Sequence, residues 1–272
     1  MESSMALYIN LIPWAPLLLL MLISIIVFWA TTKGEYASAR LNEQGTAVVP
    51  RFLMRWGHWL IDPIANHLIE SKTPPNRLTL ASVIVASLSG LAFAFGSFQV
   101  AGWLIIATGI FDVLDGWVAR ETGRITKSGG FLDSVVDRYC EVAIFAGLFW
   151  YYREYFLMLV LILFAVAGSF IFSYSRALGE KHGVFTKDGF MQRHERFALL
   201  SIPAILSPFM AFITEPQESE PVYYLMVFAV TFLSVSVNIG AIIRTAAIYA
   251  IIHARENKEE KLDSHPAKKG SG

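Results

Sequence analysis

The chain of 272 residues is 55% hydrophobic and 14% aromatic and is charged at only 16% of its positions, whereas a soluble domain is usually about a quarter charged. With a mean hydropathy of +0.51, this composition excludes a soluble globular protein and defines a multi-pass membrane protein. The 22 basic and 22 acidic residues cancel, so net charge says nothing about partners. The single cysteine, Cys140, excludes an intramolecular disulfide or a cysteine-built metal cluster.

A spanning helix needs about 20 mostly apolar residues, and seven segments qualify: residues 11–30, 78–98, 101–118, 131–152, 156–174, 197–213 and 222–252. The first follows no basic region, is too long for a signal-peptide core and precedes no small-residue cleavage site, so it is expected to remain as a transmembrane helix. Residues 1–48 hold this helix and a cytoplasmic linker. Residues 49–71, VPRFLMRWGHWLIDPIANHLIES, mix apolar and basic side chains with two tryptophans. That pattern suits a helix lying in the membrane interface or an ordinary cytoplasmic linker helix. The turn Thr73-Pro74-Pro75-Asn76 prepares the start of the next helix. Residues 256–272 are charged and lack apolar periodicity, and a disordered tail is expected there. The fold class is all-α, a polytopic membrane helical bundle.

Lysine and arginine collect in the connections that stay cytoplasmic. With the N-terminus outside, 19 of the 22 basic residues fall in segments that are then inside. The outside keeps only Arg153, Arg138 and Arg244 fall within helices, and the loop TEPQESE, residues 214–220, is purely acidic where it is expected to be exterior. The expected setting is a cell (inner) membrane with the acidic helix ends on the cytoplasmic side.

Those helix ends carry Asp112, Asp115, Asp133 and Asp137. Each helical residue advances about 100°, so Asp112, Asp115, Gly116 and Ala119 share one face. It joins two carboxylates to two residues almost without side chains, which lets a bulky ligand approach the backbone. On the following helix Gly129, Asp133 and Asp137 repeat at i, i+4. The connection, residues 121–128, is short enough to make the helices antiparallel neighbours whose acidic stripes can face each other. Converging carboxylates repel, and divalent cations relieve that repulsion. All-oxygen donors favour Mg²⁺, Mn²⁺ or Ca²⁺, and four carboxylates are enough to bridge two ions about 4 Å apart, as in phosphoryl chemistry. The alternative is structural ion pairing with Arg120, Arg124 and Arg138, which leaves the small residues without a role. Acids within membrane helices are ordinarily functional.

The pattern D-x-x-D-G-x-x-A-R, eight residues, G-x-x-x-D-x-x-x-D is present at Asp112, Asp115, Gly116, Ala119, Arg120, Gly129, Asp133 and Asp137. In it the chain resembles the CDP-alcohol phosphatidyltransferases. The likeness covers residues 49–255, an interfacial helix and six spans, with the first span as an addition. The resemblance implies two divalent ions, Mg²⁺ or Mn²⁺, on Asp112, Asp115, Asp133 and Asp137, with Asp137 also the general base. It implies that Gly116, Ala119, Arg120 and Gly129 receive the CDP moiety of a CDP-linked lipid such as CDP-diacylglycerol. The acceptor is a small hydroxyl compound, CMP is released, and a homodimer embedded in the bilayer is expected.

A second basic group bears on the acceptor. SYSRALGE (residues 173–180) ends the fifth span and GFMQRHERF (residues 189–197) opens the sixth. Arg193 and Arg196 are three apart, share a helix face and form a fork suited to a phosphate dianion. For Arg176, Lys181 and Lys187 the competing reading is positive-inside decoration. These runs resemble the inositol-phosphate-using branch, as does Asp133-Ser134-Val135-Val136-Asp137-Arg138. However, Arg176 stands where that branch has lysine and Leu178 where it has arginine. Arg244 is the candidate substitute, or else it snorkels to the headgroups. Inositol phosphate is therefore the expected acceptor, with glycerol 3-phosphate the alternative; serine would not need these arginines.

No histidine pair has ligand spacing with the aspartates, and His182 and His194 are expected to be incidental. Cys140 has no basic partner in sequence reach, and no nucleic-acid motif or phosphate-binding glycine loop is present. Two other classes remain open. A divalent-cation transporter would need polar residues continuing across the membrane, which are missing. A catalytically silent scaffold would not need every motif position.

Overall fold

Within hydrocarbon each backbone N–H and C=O must be bonded inside its own segment. Throughout the described residues, 14–33, 51–185, 191–214 and 221–264 of a computed structural model, the chain meets this need with helices and no strand. They are α1 (Trp14–Thr32), α2 (Arg51–Glu70), α3 (Pro75–Ala94), α4 (Phe98–Glu121), α5 (Lys127–Tyr151), α6 (Phe156–Lys181), α7 (Arg193–Thr214) and α8 (Tyr224–Ser264). Residues 11–13 of the expected first span, the linker 34–48, Lys187, the acidic residues 215–220 and residues 265–272 lie outside the described residues.

Five helices, α3, α4, α6, α7 and α8, are long and apolar enough to cross a membrane, and α1 is a further apolar helix of 19 residues. α5 is 25 residues long but carries Asp133, Asp137 and Arg138 in its first half and Glu141 just past its middle. It nevertheless lies in direct backbone contact with α3. A Cβ at Gly147 would meet the Gly90 carbonyl oxygen at 1.9 Å, and one at Gly90 would meet the Ala143 oxygen at 2.1 Å. Small residues at such crossings are the usual way for membrane helices to approach closely. α4 meets α7 similarly at Gly102, and α6 meets α8 at Gly168.

The expected architecture is observed: an all-helical bundle of six long helices, preceded by an amphipathic helix and an apolar one. The helix bounds differ from the apolar windows at one end of the bundle. α4 continues to Glu121, α5 begins at Lys127, α6 reaches Lys181 and α7 starts at Arg193. Apolar composition reports depth in the bilayer, whereas helical hydrogen bonding runs on past it. The same reasoning corrects the expected disordered tail, because α8 continues through residues 256–264. Glu, Lys and Leu are strong helix formers, and extending an existing helix avoids the nucleation cost.

α2 packs its Ala65, Ile61, Leu68 and Ile69 against Leu78 of α3 and Ile110, Phe111, Leu114, Trp117 and Val118 of α4. α1 reaches α2 through Phe28, whose ring lies 5.6 Å from Phe52 and 5.8 Å from Trp59. At the opposite end of the bundle the connections are pinned by aromatics. Tyr151 and Tyr152 donate to the carbonyls of Pro221 (2.5 Å) and Val222 (2.9 Å), and Tyr223 donates to Gly96 (3.3 Å). These hydroxyls surround Phe98, whose ring centre is 4.1 Å from that of Tyr223.

The α3–α5 crossing yields a direct expectation. Gly147→Val forces a side chain into the Gly90 backbone and should abolish recovery of monodisperse protein in detergent. Gly57→Ala, at a helical site with nothing within 4 Å, should leave recovery unchanged and raise the melting temperature slightly, since alanine is favoured over glycine in a helix by about 1 kcal/mol.

Candidate active site

Two residues beyond the end of α4 lies Gly123, whose φ of +66° is the left-handed conformation that glycine adopts without penalty. It lets Arg124 N donate to Ala119 O (2.9 Å) and Gly123 N to Arg120 O (3.2 Å), closing the helix. Residues 122–126 reverse the chain, and Thr126 caps α5 by accepting from Gly129 N at 3.0 Å. Arg124 Nη1 donates to Lys72 O (3.0 Å), tying this turn to the one before α3.

The reversal brings the acidic stripes together as the spacing predicts, with one exception. Single carboxylate oxygens of Asp112, Asp133 and Asp137 all lie within 4.8 Å of one another. Asp115 is not part of that group. It is buried, and its Oδ2 accepts from Thr79 Oγ1 of α3 at 2.5 Å. A buried carboxylate needs a donor, and α3 supplies one that was not evident from the motif. The structure therefore groups three of the four aspartates.

The compensating charge comes from α7. Arg193, its first residue, places Nη1 on both Asp112 Oδ1 and Asp137 Oδ1, and its guanidinium lies 4.9 Å over the Phe197 ring. Its Nε and Nη2 are buried without a hydrogen-bond partner among the described residues. Arg138 stands 3.8 Å from the other oxygen of Asp137 and donates to Ser173 Oγ at 2.7 Å.

Arg196 does not form a fork with Arg193, which corrects the expectation from their spacing. Its Nη2 pairs with Glu141 Oε1 at 2.5 Å and its Nη1 donates to Met191 O at 2.8 Å. Glu141 is 2% exposed and Arg196 3%, so each meets the opposite charge it needs in a buried setting. Glu141 escaped sequence reasoning, although it extends the spacing Gly129, Asp133, Asp137 by one further i, i+4 step. Its position in the apolar part of the helix was the available signal.

The small residues lie where the motif places them. Arg120 folds back over Gly116, where an added Cβ would meet its Nη1 at 3.3 Å, and a Cβ on Gly129 would meet the Thr126 cap at 3.0 Å. Ala119 is half-buried on the same face. Arg176 pairs with Glu180 at 2.9 Å. Arg244 is buried, donates to Phe172 O at 3.2 Å and lies 3.6 Å over the Phe172 ring. It is held inside the bundle and does not snorkel to a surface.

A cavity of about 1350 Å³ opens beside this cluster, and Asp137, Arg138, Arg176, Arg193, Arg196 and Arg244 are among its lining residues. A three-carboxylate corner joined to an arginine-lined chamber at one end of a membrane bundle is suited to holding a divalent cation and an anionic substrate side by side. The donors are hard oxygens on two helices, and they fit Mg²⁺ or Mn²⁺.

Comparison with known proteins gives this arrangement its class. The chain belongs to the CDP-alcohol phosphatidyltransferase family, whose model matches residues 72–235, from the turn before α3 into α8. It is a membrane-embedded transferase. It is 36% identical over 140 residues to an archaetidylinositol phosphate synthase of Methanothermobacter thermautotrophicus, covering 52% of this chain and 69% of the relative. To a phosphatidylinositol phosphate synthase of Corynebacterium glutamicum it is 32% identical over 145 residues, covering 50% and 65%. Among solved structures, the phosphatidylinositol phosphate synthase of Mycobacterium tuberculosis with CDP-DAG bound superposes with a TM-score of 0.60 at 25% identity, over 70% of this chain and 94% of that one. A second structure of that enzyme, with manganese and citrate, also gives 0.60 at 25% identity, over 70% and 88%.

Divalent-ion binding is testable without turnover. Titration of purified protein with Mn²⁺, followed by electron paramagnetic resonance, should show saturable binding that Asp133→Asn weakens by roughly 100-fold, the upper end of what loss of even an outer-shell partner costs. Unchanged affinity in that variant would remove Asp133 from the ligand set.

Proposed function

We propose that this chain transfers a phosphatidyl group from CDP-diacylglycerol to the hydroxyl of an inositol phosphate, releasing CMP. One observation carries the reading: Asp137 belongs both to the aspartate cluster and to the wall of the arginine-lined cavity. A base at that position stands between a cytidine-linked donor on the α4 side and an anionic acceptor on the α7 side. The relatives' names supply the acceptor class.

In this reading Asp137 takes the proton from the acceptor hydroxyl. The oxygen bonds to the phosphorus that bears the diacylglycerol, and the bond from that phosphorus to the CMP oxygen breaks. Asp112, Asp133, Asp137 and, after release from Thr79, Asp115 would hold two Mg²⁺ or Mn²⁺ ions, which supply neutralising charge to the pyrophosphate and the departing CMP. Gly116, Ala119, Arg120 and Gly129 would leave room for the cytidine and its phosphates. Arg193, with two buried donors unused, would turn from the carboxylates to the acceptor phosphate as cations replace it, joined by Arg176 and Arg244. Arg196, already committed to Glu141, would line the chamber without carrying the phosphate.

Residues 49–255 would form the catalytic domain, and the aspartate end would face the cytoplasm of a cell membrane with the N-terminus outside. A homodimer is part of the proposal through the family resemblance. Glycerol 3-phosphate, also anionic, is the second acceptor to test. A cation transporter fits less well, because the opposite end of the bundle is filled by buried Phe93, Phe98 and Tyr152 rather than by polar groups.

Incubation of purified protein with CDP-diacylglycerol, Mg²⁺ and a panel of alcohols and phosphorylated alcohols, with products identified by mass, should yield phosphatidylinositol phosphate. Exclusive formation of phosphatidylglycerophosphate would move the acceptor assignment. Asp137→Asn should lower transfer by about a thousandfold, within the range for loss of a general base, while CDP-diacylglycerol still binds. Retained turnover would sink the base assignment.

A further inference from the structure

The Glu141–Arg196 pair lies one helical turn deeper than the Asp137–Arg193 pair on both of its helices. Glu141 follows Asp137 by four residues on α5, and Arg196 follows Arg193 by three on α7. The two ion pairs are thus successive rungs between the same helices. The outer rung faces the cavity, and its carboxylates are the ones proposed to receive cations. The inner rung is buried, with Arg196 at the cavity wall: Glu141 is 2% and Arg196 3% exposed. Both Glu141 oxygens are also approached by Arg138 Nη1 at 3.5 Å, and Arg138 itself flanks Asp137 and is bonded to Ser173.

The inner rung also shapes the entry to α7. Arg196 Nη1 holds Met191 O, and Met191 has a φ of +70°, a left-handed conformation that costs a non-glycine residue energy and must be enforced by its surroundings. Gln192 N donates to Glu195 Oε2 at 2.9 Å, completing the first turn from which Arg193 projects.

We infer that Glu141 is a positioning residue: through Arg196 it fixes the first turn of α7, and through Arg138 it flanks Asp137, so that Arg193 stays at the site whether it pairs with the aspartates or with a substrate phosphate. This deepens the phosphoryl-acceptor reading above and rests on it. A buried ion pair is weak as a source of net stability, but removing one partner leaves the other charge buried and poorly compensated, and here Arg196 is the nearer of the two cations on Glu141. Were cations to take over Asp112 and Asp137, the outer rung would open while the inner rung still tied α7 to α5.

The test is a double-mutant cycle with Glu141→Gln and Arg193→Ala, assayed with CDP-diacylglycerol and inositol phosphate. Glu141→Gln should raise the acceptor KM roughly tenfold, the lower end of what loss of an orienting partner costs, with the donor KM within about twofold. In the Arg193→Ala background the same change should add little, because its effect passes through Arg193; additive effects, or equal rises in both KM values, overturn the inference. Should Glu141→Gln not fold, the pair Glu141→Leu with Arg196→Met removes both buried charges. It should fold yet keep the raised acceptor KM, and a wild-type acceptor KM overturns the inference. Hydrogen exchange over residues 191–197 gives a readout independent of turnover: Glu141→Gln should speed it, and unchanged exchange overturns the anchor. A wild-type protein that turns over no acceptor, with faster exchange in the variant, would instead refute the proposed reaction and leave the anchor standing.

Discussion

The site end of the bundle is governed by the need to match gathered negative charge. Three carboxylates from α4 and α5 converge to within 4.8 Å, and two unit charges about 4 Å apart interact by about 4 kcal/mol at the effective dielectric of a protein edge. Without a positive partner the two helix ends would be driven apart or their acids protonated. Arg193 meets that need by contacting Asp112 and Asp137 together, and so binds the α4–α5 hairpin to the start of α7. The α4–α5 turn, its glycine and its threonine cap serve to bring the carboxylates close enough for such a partner to be required.

The same constraint connects packing to function. In the proposed function, cations would take the place of Arg193 on the carboxylates, and its guanidinium, with two buried donors unused, would then be available to an anion. In the proposed reaction a donor lipid would bring pyrophosphate and a phosphorylated acceptor a further dianion, so added positive and negative charge would enter the site together. The inner pair of Glu141 and Arg196 is buried one helical turn further in. Rigidity at the opposite end comes from different chemistry, with Tyr151, Tyr152 and Tyr223 bonded to loop carbonyls around Phe98. The long helices are thus clamped at one end and tunable in charge at the other.

Much of this arrangement is legible in the linear chain because it depends on local period and composition. Apolar length identifies the long helices, the i, i+4 repeat of Gly129, Asp133 and Asp137 defines a stripe, and the short connection after Glu121 makes its neighbour antiparallel. Positions that depend on a third helix are not legible in this way. Thr79 is 36 residues from Asp115 in sequence yet draws it out of the cluster. Arg193 and Arg196, equivalent by spacing, are separated in role because one meets Asp112 and Asp137 and the other meets Glu141. The charged residues from Glu256 onward read as disordered by composition, but residues 256–264 continue a helix that begins at Tyr224.

The sequence by itself determined the class of fold, the acidic motif and the end of the bundle at which that motif gathers, because hydrophobic length and helical periodicity are properties of each segment alone. The tertiary structure decided which acids share a cluster, which arginine pairs with it and which ion pair is buried beneath it. Those outcomes depend on distances between helices far apart in the chain, where a buried charge takes whichever partner the packing brings within reach.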